Sequence, residues 1–441
     1  MTTAPSGFDV DFLTFEQNGT SAEGLGAEGW REGARLVRLT PGLDFVFFRH
    51  PRRDALDGSV QLFRSGAEGL VVEEHAGGTV PTLVAHNATN ADYLLIAGQL
   101  LSGGKQNRGL NADLLVGAGQ RAEIPVTCVE QGRWSAQPRG RFHHAGIEPL
   151  EVRTGKHRDV SSSMRAGAGH RARQDQVWKG VADLSRDLGA TNARSDLLES
   201  MAQARARRNQ PTDATGEANT DAARDREEAA MRLEHMRSEL ARLSLEIADV
   251  AASVASDGNY DRLLRLQRRQ TELFRSLRRA LEIQHELQAR PAVVEIPSEP
   301  LALDLADACA KEATGLLVYF DGEFVAGDLF ASGAWFETLY PDLRESALMS
   351  WERVRRHAAR LGTTRTAPAE SSVAAHAVST VREALRGSWH EKPTPAHGRQ
   401  LLLEHESLEG SVLCRGRTPL HLLLGTKQVP TAFRAAESPR A

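Results

Sequence analysis

The chain has 441 residues, enough for two or three domains and a sizeable buried core. Its 54 basic and 58 acidic side chains leave a net charge of −4, which gives nucleic acid no general attraction. Cys128, Cys309 and Cys414 stand too far apart for a disulfide framework, and no apolar run or signal-peptide pattern points to a membrane or to export, so a soluble cytoplasmic protein is expected.

Residues 1–57 read as a polar, glycine-rich extension in which ARLVRL and DFVFFRH are strands. From Gly58 to Cys128, short Val-, Leu- and Ile-rich runs such as GLVVEEH, DYLLIAG and RAEIPVTCVE alternate with Gly, Asn and Asp turns. That pattern predicts an antiparallel sheet or a barrel-like core over residues 58–190. Within it, residues 135–173 mix Gly, Ser, Arg, Lys and His with little periodicity and are expected as a long polar loop. Val177, Val181, Leu184 and Leu188 then form one apolar helical stripe that closes at Gly189.

Residues 191–292 read as an insertion: a linker, then a helical hairpin. Residues 208–222 have no apolar content worth burying. Leu233, Met236, Leu240, Leu243, Ile247, Val250 and Val254 recur at spacings of three and four, the seam of a coiled coil. A turn at Ser256–Asn259 leads to a second arm with Leu263, Leu266, Leu273, Leu277 and Leu287 on the same alternation, ended by Pro291. Residues 221–250 hold eight acids and five Arg, and residues 260–290 hold four acids and eight Arg. Opposite charge and a short turn favour an antiparallel hairpin, with pairing between two chains as the alternative.

Residues 293–428 return to a mixed pattern, before a polar tail at 429–441. GLLVYFDGEFVAGDLF predicts a hairpin about Asp321-Gly322, followed by two helices and by strands in RQLLLEHESLEGSVLCR and TPLHLLLG. The fold class is α+β: a β-rich antiparallel or barrel-like core with packed helices, interrupted by the helical hairpin.

Chemistry concentrates between Ala97 and Trp134. Gly103, Gly104, Lys105, Gln106, Asn107 and Arg108 form one polar loop with Asn111 behind it, and a strand delivers Cys128, Glu130, Arg133 and Trp134 to a second. Backbone N–H groups beside two cations and two amides are the parts of an anion site, with a solvated hairpin turn as the plain alternative. The loop is not a Walker A motif, because its Lys is displaced by one position and no Ser or Thr follows. Cys128 and Arg133 are separated by four residues where cysteine phosphatases have five, and Glu130 lies between them; a buried structural Cys is the competing reading. Glu130, Asp321, Glu323 and Asp328 could together hold a hard cation, although no metal-ligand spacing is present and Asp321 also reads as a turn residue. The Arg- and His-rich run from Arg153 to Arg173 reads as a lid over an anion site or as a solvated loop.

At GGKQNR, Asn111 and IPVTCVEQGRW the sequence resembles the ARG and Rhodanese-Phosphatase-superfamily-associated protein domain family. A second likeness lies at GLLVYFDGEFVAGDLF and LYPDLRESALMSW, so the resemblance spans roughly residues 60–190 and 300–425 with the hairpin inserted between them. It implies an association with ADP-ribose or NAD-derived metabolism rather than a defined reaction. Ala97-Gly98-Gln99 departs from the family's acidic turn, which implies binding without turnover if that acid is catalytic in relatives.

The expectation is therefore a ligand-binding or enzymatic domain for a phosphorylated or nucleotide-like small molecule. Gly103, Gly104, Lys105, Arg108 and Arg133 would take the anion, Gln106, Asn107 and Asn111 would orient it, and Trp134 would stack on a base or ribose or else anchor the core. Glu130 would be acid or base, with Cys128 the weaker catalytic candidate; no motif specifies a cofactor. The rival is a non-catalytic scaffold that docks a protein partner through residues 223–290, using Leu264, Phe274, Leu281 and Ile283.

Overall fold

The computed structural model describes residues 34–49, 58–64, 69–75, 81–131, 140–190, 196–208, 231, 233–236, 238–247, 250, 260–288, 301–361 and 367–434. The polar opening, most of the linker, the Ser256–Asn259 turn, Arg133, Trp134 and the last residues of the tail lie outside them. The chain divides into two compact units, residues 1–205 with 296–441, and residues 206–295.

The larger unit begins with strands β1 (Ala34–Thr40), β2 (Leu43–Phe48), β3 (Val60–Leu62), β4 (Leu70–Glu74), β5 (Thr82–Asn87) and β6 (Asp92–Leu95). There follow β7 (Gln99–Gly103), β8 (Arg108–Leu110), β9 (Leu114–Val116), β10 (Arg121–Cys128) and β11 (Arg141–Ile147). Helices α1 (Leu150–Arg165), α2 (Gln174–Asp187) and α3 (Leu197–Arg208) come next. Helix α4 (Tyr260–Gln288) belongs to the smaller unit. The chain then forms α5 (Leu303–Ala310), β12 (Gly315–Phe320), β13 (Glu323–Phe330), α6 (Gly333–Leu361) and α7 (Glu370–Arg386). It ends with β14 (Ser388–Lys392), β15 (Arg399–Glu404), β16 (Leu408–Arg415), β17 (Thr418–Thr426) and the short α8 (Thr431–Arg434).

An antiparallel sheet and a barrel are both present. β10-β5-β4-β11-β7-β8 close into a barrel, β3-β6-β9 make a small sheet, and eight strands form an antiparallel sheet in the order β1-β2-β12-β13-β17-β16-β15-β14. The eight-stranded sheet is covered on both faces, which explains its near-continuous apolar strands. Phe45, Phe47, Leu316, Val318 and Phe320 face one core with Trp335, Phe336 and Leu343 of α6. Their neighbours Val46, Phe48, Leu317 and Tyr319 face a second core with Val373, Ala377 and Val381 of α7. That is the period-two alternation of a pleated strand. The hairpin expected at Asp321-Gly322 forms, with φ of 51° and 80° at the two turn residues.

The expected polar loop is corrected over its described part. Residues 141–147 are strand β11 and residues 150–165 are helix α1. The missed helix buries Arg153, Lys156 and His157 along with Leu150, Val152, Val160 and Met164, so its hidden face is only partly apolar and its periodicity was invisible to a hydrophobic template. Helix α2 forms where expected, with Val177, Val181 and Leu184 buried, Leu188 buried just past its end, and Gly189 at φ 68°.

In the smaller unit, residues 233–236, 238–247 and 260–288 are helical. Glu246 pairs with Arg262 at 3.2 Å and Glu239 with Arg269 at 2.8 Å. Leu245, Leu264 and Phe274 are exposed, and the side chains of Leu281 and Ile283 lie outside the described ones.

Within the larger unit, α1 is tied to the sheet and to the strands around Ala97 by a buried ionic chain. Arg153 Nη1 and Nη2 donate to the two oxygens of Asp328 at 2.7 and 2.6 Å, and its Nε donates to Ala97 O at 2.9 Å. His421 bridges Asp328 on Nε2 at 3.0 Å and Asp113 on Nδ1 at 2.9 Å. Burial alone would push the imidazole down, but the two carboxylates hold it up at about 9. Burial would raise Asp328, yet Arg153 and His421 hold it well below the usual carboxylate range.

A raised imidazole stabilises fully below its unfolded value of 6.5 and loses that contribution as pH climbs to about 9. A depressed carboxylate stabilises above its unfolded value of 3.8 and loses that contribution in acid. The contribution of the cluster should therefore be flat between these two unfolded values and fall by roughly 3 kcal/mol on the alkaline side. Urea unfolding across pH 6 to 10 measures this alkaline loss, and His421→Gln should remove it. An identical slope in the variant would mean that His421 is not the titrating group.

Candidate functional site

The glycine loop joins β7 to β8 at the barrel. Both glycines are required by close packing: a β-carbon on Gly103 would stand 2.1 Å from Arg141 O, and one on Gly104 would stand 2.5 Å from the Phe142 ring. Both have positive φ, 148° and 50°. The anion expected here is supplied by the chain itself. Lys105 N donates to Glu74 Oε1 at 2.7 Å, and Lys105 Nζ lies 3.9 Å from Glu74 Oε2.

Beyond the loop the side chains turn inward. Gln106, Asn107, Arg108 and Asn111 are all buried. The two polar loops meet: Gln106 Nε2 donates to Glu130 O at 2.9 Å, and Asn107 N donates to Glu130 Oε2 at 3.0 Å. The Asn107 side chain donates to both oxygens of Asp196, at 3.2 and 3.1 Å, so one asparagine spans two carboxylates. Asn111 accepts from Thr127 Oγ1 at 2.5 Å and donates to His170 O at 3.0 Å.

Arg108 differs from every other buried cation described above. It is 2% exposed and lies opposite Cys128 in the β8–β10 register. Its Nη1 donates to Gln106 Oε1 at 3.1 Å, its Nε has no acceptor, and among the described residues no carboxylate pairs with it. A guanidinium removed from water normally has a paired acid.

Cys128 is held as a neutral thiol. Burial pushes its pKa up against the pull of the Arg108 charge, and its Sγ donates to Glu130 O at 2.9 Å. A nucleophilic cysteine needs the thiolate, so this setting suits packing and hydrogen bonding better than attack. The backbone of Cys128 is clamped by Gln174 at the start of α2, whose side chain donates to Cys128 O at 2.7 Å and accepts from Cys128 N at 2.9 Å. Burial raises the Asp196 carboxyl; the Asn107 hydrogen bond opposes this and the Glu130 charge adds to it. The cluster thus sets an unpaired cation beside two carboxyl groups, one with an increased hold on its proton. That combination can hold an anion and move a proton.

Of the expected site residues, Gln106, Asn107, Arg108, Cys128 and Glu130 come together. Asn111 adjoins them through Thr127, and Lys105 turns to Glu74. The four acids weighed as a cation site do not assemble: Asp328 is committed to Arg153 and His421, Asp321 stands in its turn, and Glu323 accepts from Thr431 N. Among the described residues no group of three or more His, Cys, Asp or Glu is placed to hold a metal ion. The Arg153–Arg173 run is no lid, since Arg153 is buried in α1. Sequence reasoning missed Asp196 and Gln174. Each stands at a helix start, which is a weak signal, and neither has a motif around it.

Replacing Asn107 by Leu should cost about 2 kcal/mol in urea unfolding, because buried acceptors lose their donors. The loss should be larger at pH 7 than at pH 4. Asp196 has its folded pKa raised, so its ionisation already opposes folding as pH rises, and removing the Asn107 donor increases that opposition. A loss independent of pH would detach Asp196 from the cluster.

No curated protein and no solved structure matches the chain. A family model does match, over residues 52–222, a span that includes both polar loops, α1, α2 and Asp196 but not the segment at 300–425. The model matched over residues 52–222 is that of the ARG and Rhodanese-Phosphatase-superfamily-associated Protein domain family, which this stretch resembles.

Proposed function

We propose that this domain binds a phosphorylated, nucleotide-derived compound of the ADP-ribose or NAD class, with Arg108 as the anion anchor. The observation that carries the reading is the buried Arg108 guanidinium, with which no carboxylate pairs among the described residues. A phosphate would supply the missing charge and an acceptor for Nε. Glu130 and Asp196, spanned by Asn107, are the acid–base candidates for any turnover. The family name, which pairs ARG with phosphatase-superfamily proteins, points to the same ligand class. Of the cations expected to take the anion, the proposal keeps Arg108 and sets aside Lys105, whose loop already holds Glu74.

Thermal unfolding in the presence of ADP-ribose, NAD or inorganic phosphate tests it. A ligand at a hundred times its Kd stabilises by about 2.7 kcal/mol, a shift of several degrees in Tm. Arg108→Met should abolish the shift. No stabilisation by any of the three, or an equal shift in the variant, would remove the reading.

The smaller unit favours a second role beside the first. We propose that residues 223–290 form an antiparallel coiled-coil hairpin that docks a protein partner. Its support is the opposed order of the Glu246–Arg262 and Glu239–Arg269 pairs along the two segments, together with exposed Leu264 and Phe274. Deleting residues 209–290 should leave the nucleotide-induced Tm shift in place. Its loss would make the hairpin part of the binding fold instead of an appendage.

A further inference from the structure

Helices α1 and α2, together with Arg353, Val429 and Phe433, line an open cleft of roughly 260 Å³. That is slightly below the range of about 300–1,000 Å³ that holds drug-sized ligands, so it suits a smaller metabolite. Each helix carries a glycine on the wall of this cleft, Gly155 and Gly180. A glycine inside a helix costs about 1 kcal/mol relative to alanine. At two neighbouring positions glycine is explained by collision. A β-carbon on Gly98 would meet the Arg153 side chain at 2.7 Å, and one on Gly109 would meet Glu148 Oε1 at 1.9 Å. No such reason exists here. A β-carbon on Gly155 would meet only Arg158 Nη2, at 3.8 Å, and one on Gly180 only Val152 Cγ2, at 3.8 Å. Neither glycine has positive φ. The two positions accept a weaker helix and keep space open.

The walls say what the space is fitted for. Two cations at the rim are closed off by neighbouring acids, Arg173 by Asp159 at 3.0 Å and Lys179 by Asp183 at 2.9 Å. Arg158 donates through Nη1 to Thr426 O at 3.3 Å and places its Nη2 beside the notch left at Gly155. Glu151, with 8% of its side chain exposed, has an Oε1 that accepts no hydrogen bond, although Arg353 Nη1 stands 3.6 Å from it. An anionic group would sit against Arg158, and hydroxyl groups would donate to Glu151.

We propose that the α1–α2 cleft is a binding site for a small hydroxylated anion, its phosphate or carboxylate seated at the Gly155 notch against Arg158 and a hydroxyl donating to Glu151. This site is separate from the Arg108 cluster and does not depend on the nucleotide reading. Calorimetric titration of the full chain with ribose 5-phosphate and with tartrate tests it, against ribose and against sodium chloride at matched ionic strength. One of the two anions should bind saturably while ribose and salt do not, and which one binds tells phosphate from carboxylate. Gly155→Leu and, from the opposite wall, Gly180→Leu should each weaken binding at least tenfold while helicity by circular dichroism is kept, because leucine fills the cleft and is the better helix former. Arg108→Met should retain the binding. Saturation by neither anion would overturn the proposal. So would wild-type affinity in whichever glycine variant folds, or binding lost in Arg108→Met alone.

Discussion

Four side chains with almost no access to water, Arg153, Asp328, His421 and Asp113, satisfy one another in one chain of charge-assisted hydrogen bonds. Such a chain is costly to assemble, since each ion gives up its hydration, and removing one member leaves its neighbours uncompensated. It is therefore a geometric constraint more than a source of stability. Arg153 comes from α1, Asp328 and His421 from neighbouring strands of the eight-stranded sheet, and Asp113 from the segment between β8 and β9. Ala97 N donates to Asp113 Oδ1 and Ala97 O accepts from Arg153, which ties the start of β7 into the same network.

The candidate site inherits its position from that constraint. Gly98 must lack a side chain for Arg153 to pass, and Gly109 must lack one because Glu148 and Lys156 form a buried pair at 2.5 Å against it. Successive strand residues face opposite sides, so with Gly109 turned to α1, Arg108 and Leu110 turn the other way. Arg108 then lies across from Cys128 at the end of β10, the strand that delivers Glu130. The clamp of Gln174 on the Cys128 backbone brings α2 to the same place. The polar cluster thus depends on Gly98 and Gly109, and the helical cleft on a different pair, Gly155 and Gly180.

How much of this was legible in the sequence follows from which interactions are local. Period-two alternation in DFVFF and GLLVYF, the Asp321-Gly322 turn and the α2 stripe are set by neighbours a few residues apart, and each was readable. Helix α1 was not, because LEVRTGKHRDVSSSMR buries Arg153, Lys156 and His157 against partners 8 to 254 residues away. His421 sits among leucines in TPLHLLLG and carries no pattern of its own; only the fold brings two acids to it. The GGKQNR loop was readable as chemistry but not as occupancy. The carboxylate that fills its mouth belongs to Glu74, 31 residues earlier, on a strand whose only sequence signal is β-propensity. Asp196 met Asn107 across 89 residues with no spacing rule to announce it.

Two buried arginines then mark the difference between structure and site. Arg153 is matched at every nitrogen, by Ala97 O and by both oxygens of Asp328, and nothing can be added to it without breaking the fold. Arg108 is equally withdrawn from water but, among the described residues, is matched only by a neutral amide oxygen, with no acceptor at Nε. The penalty for burying a charge is the same in kind for both, and among the described residues only Arg153 has its compensation. An incompletely satisfied cation, kept in one cluster with the Asp196 carboxyl that itself resists ionisation, is a cost that packing alone does not explain. Binding of an anion would remove it, and that is the sense in which the Arg108 cluster is a site while the Arg153 cluster is a scaffold.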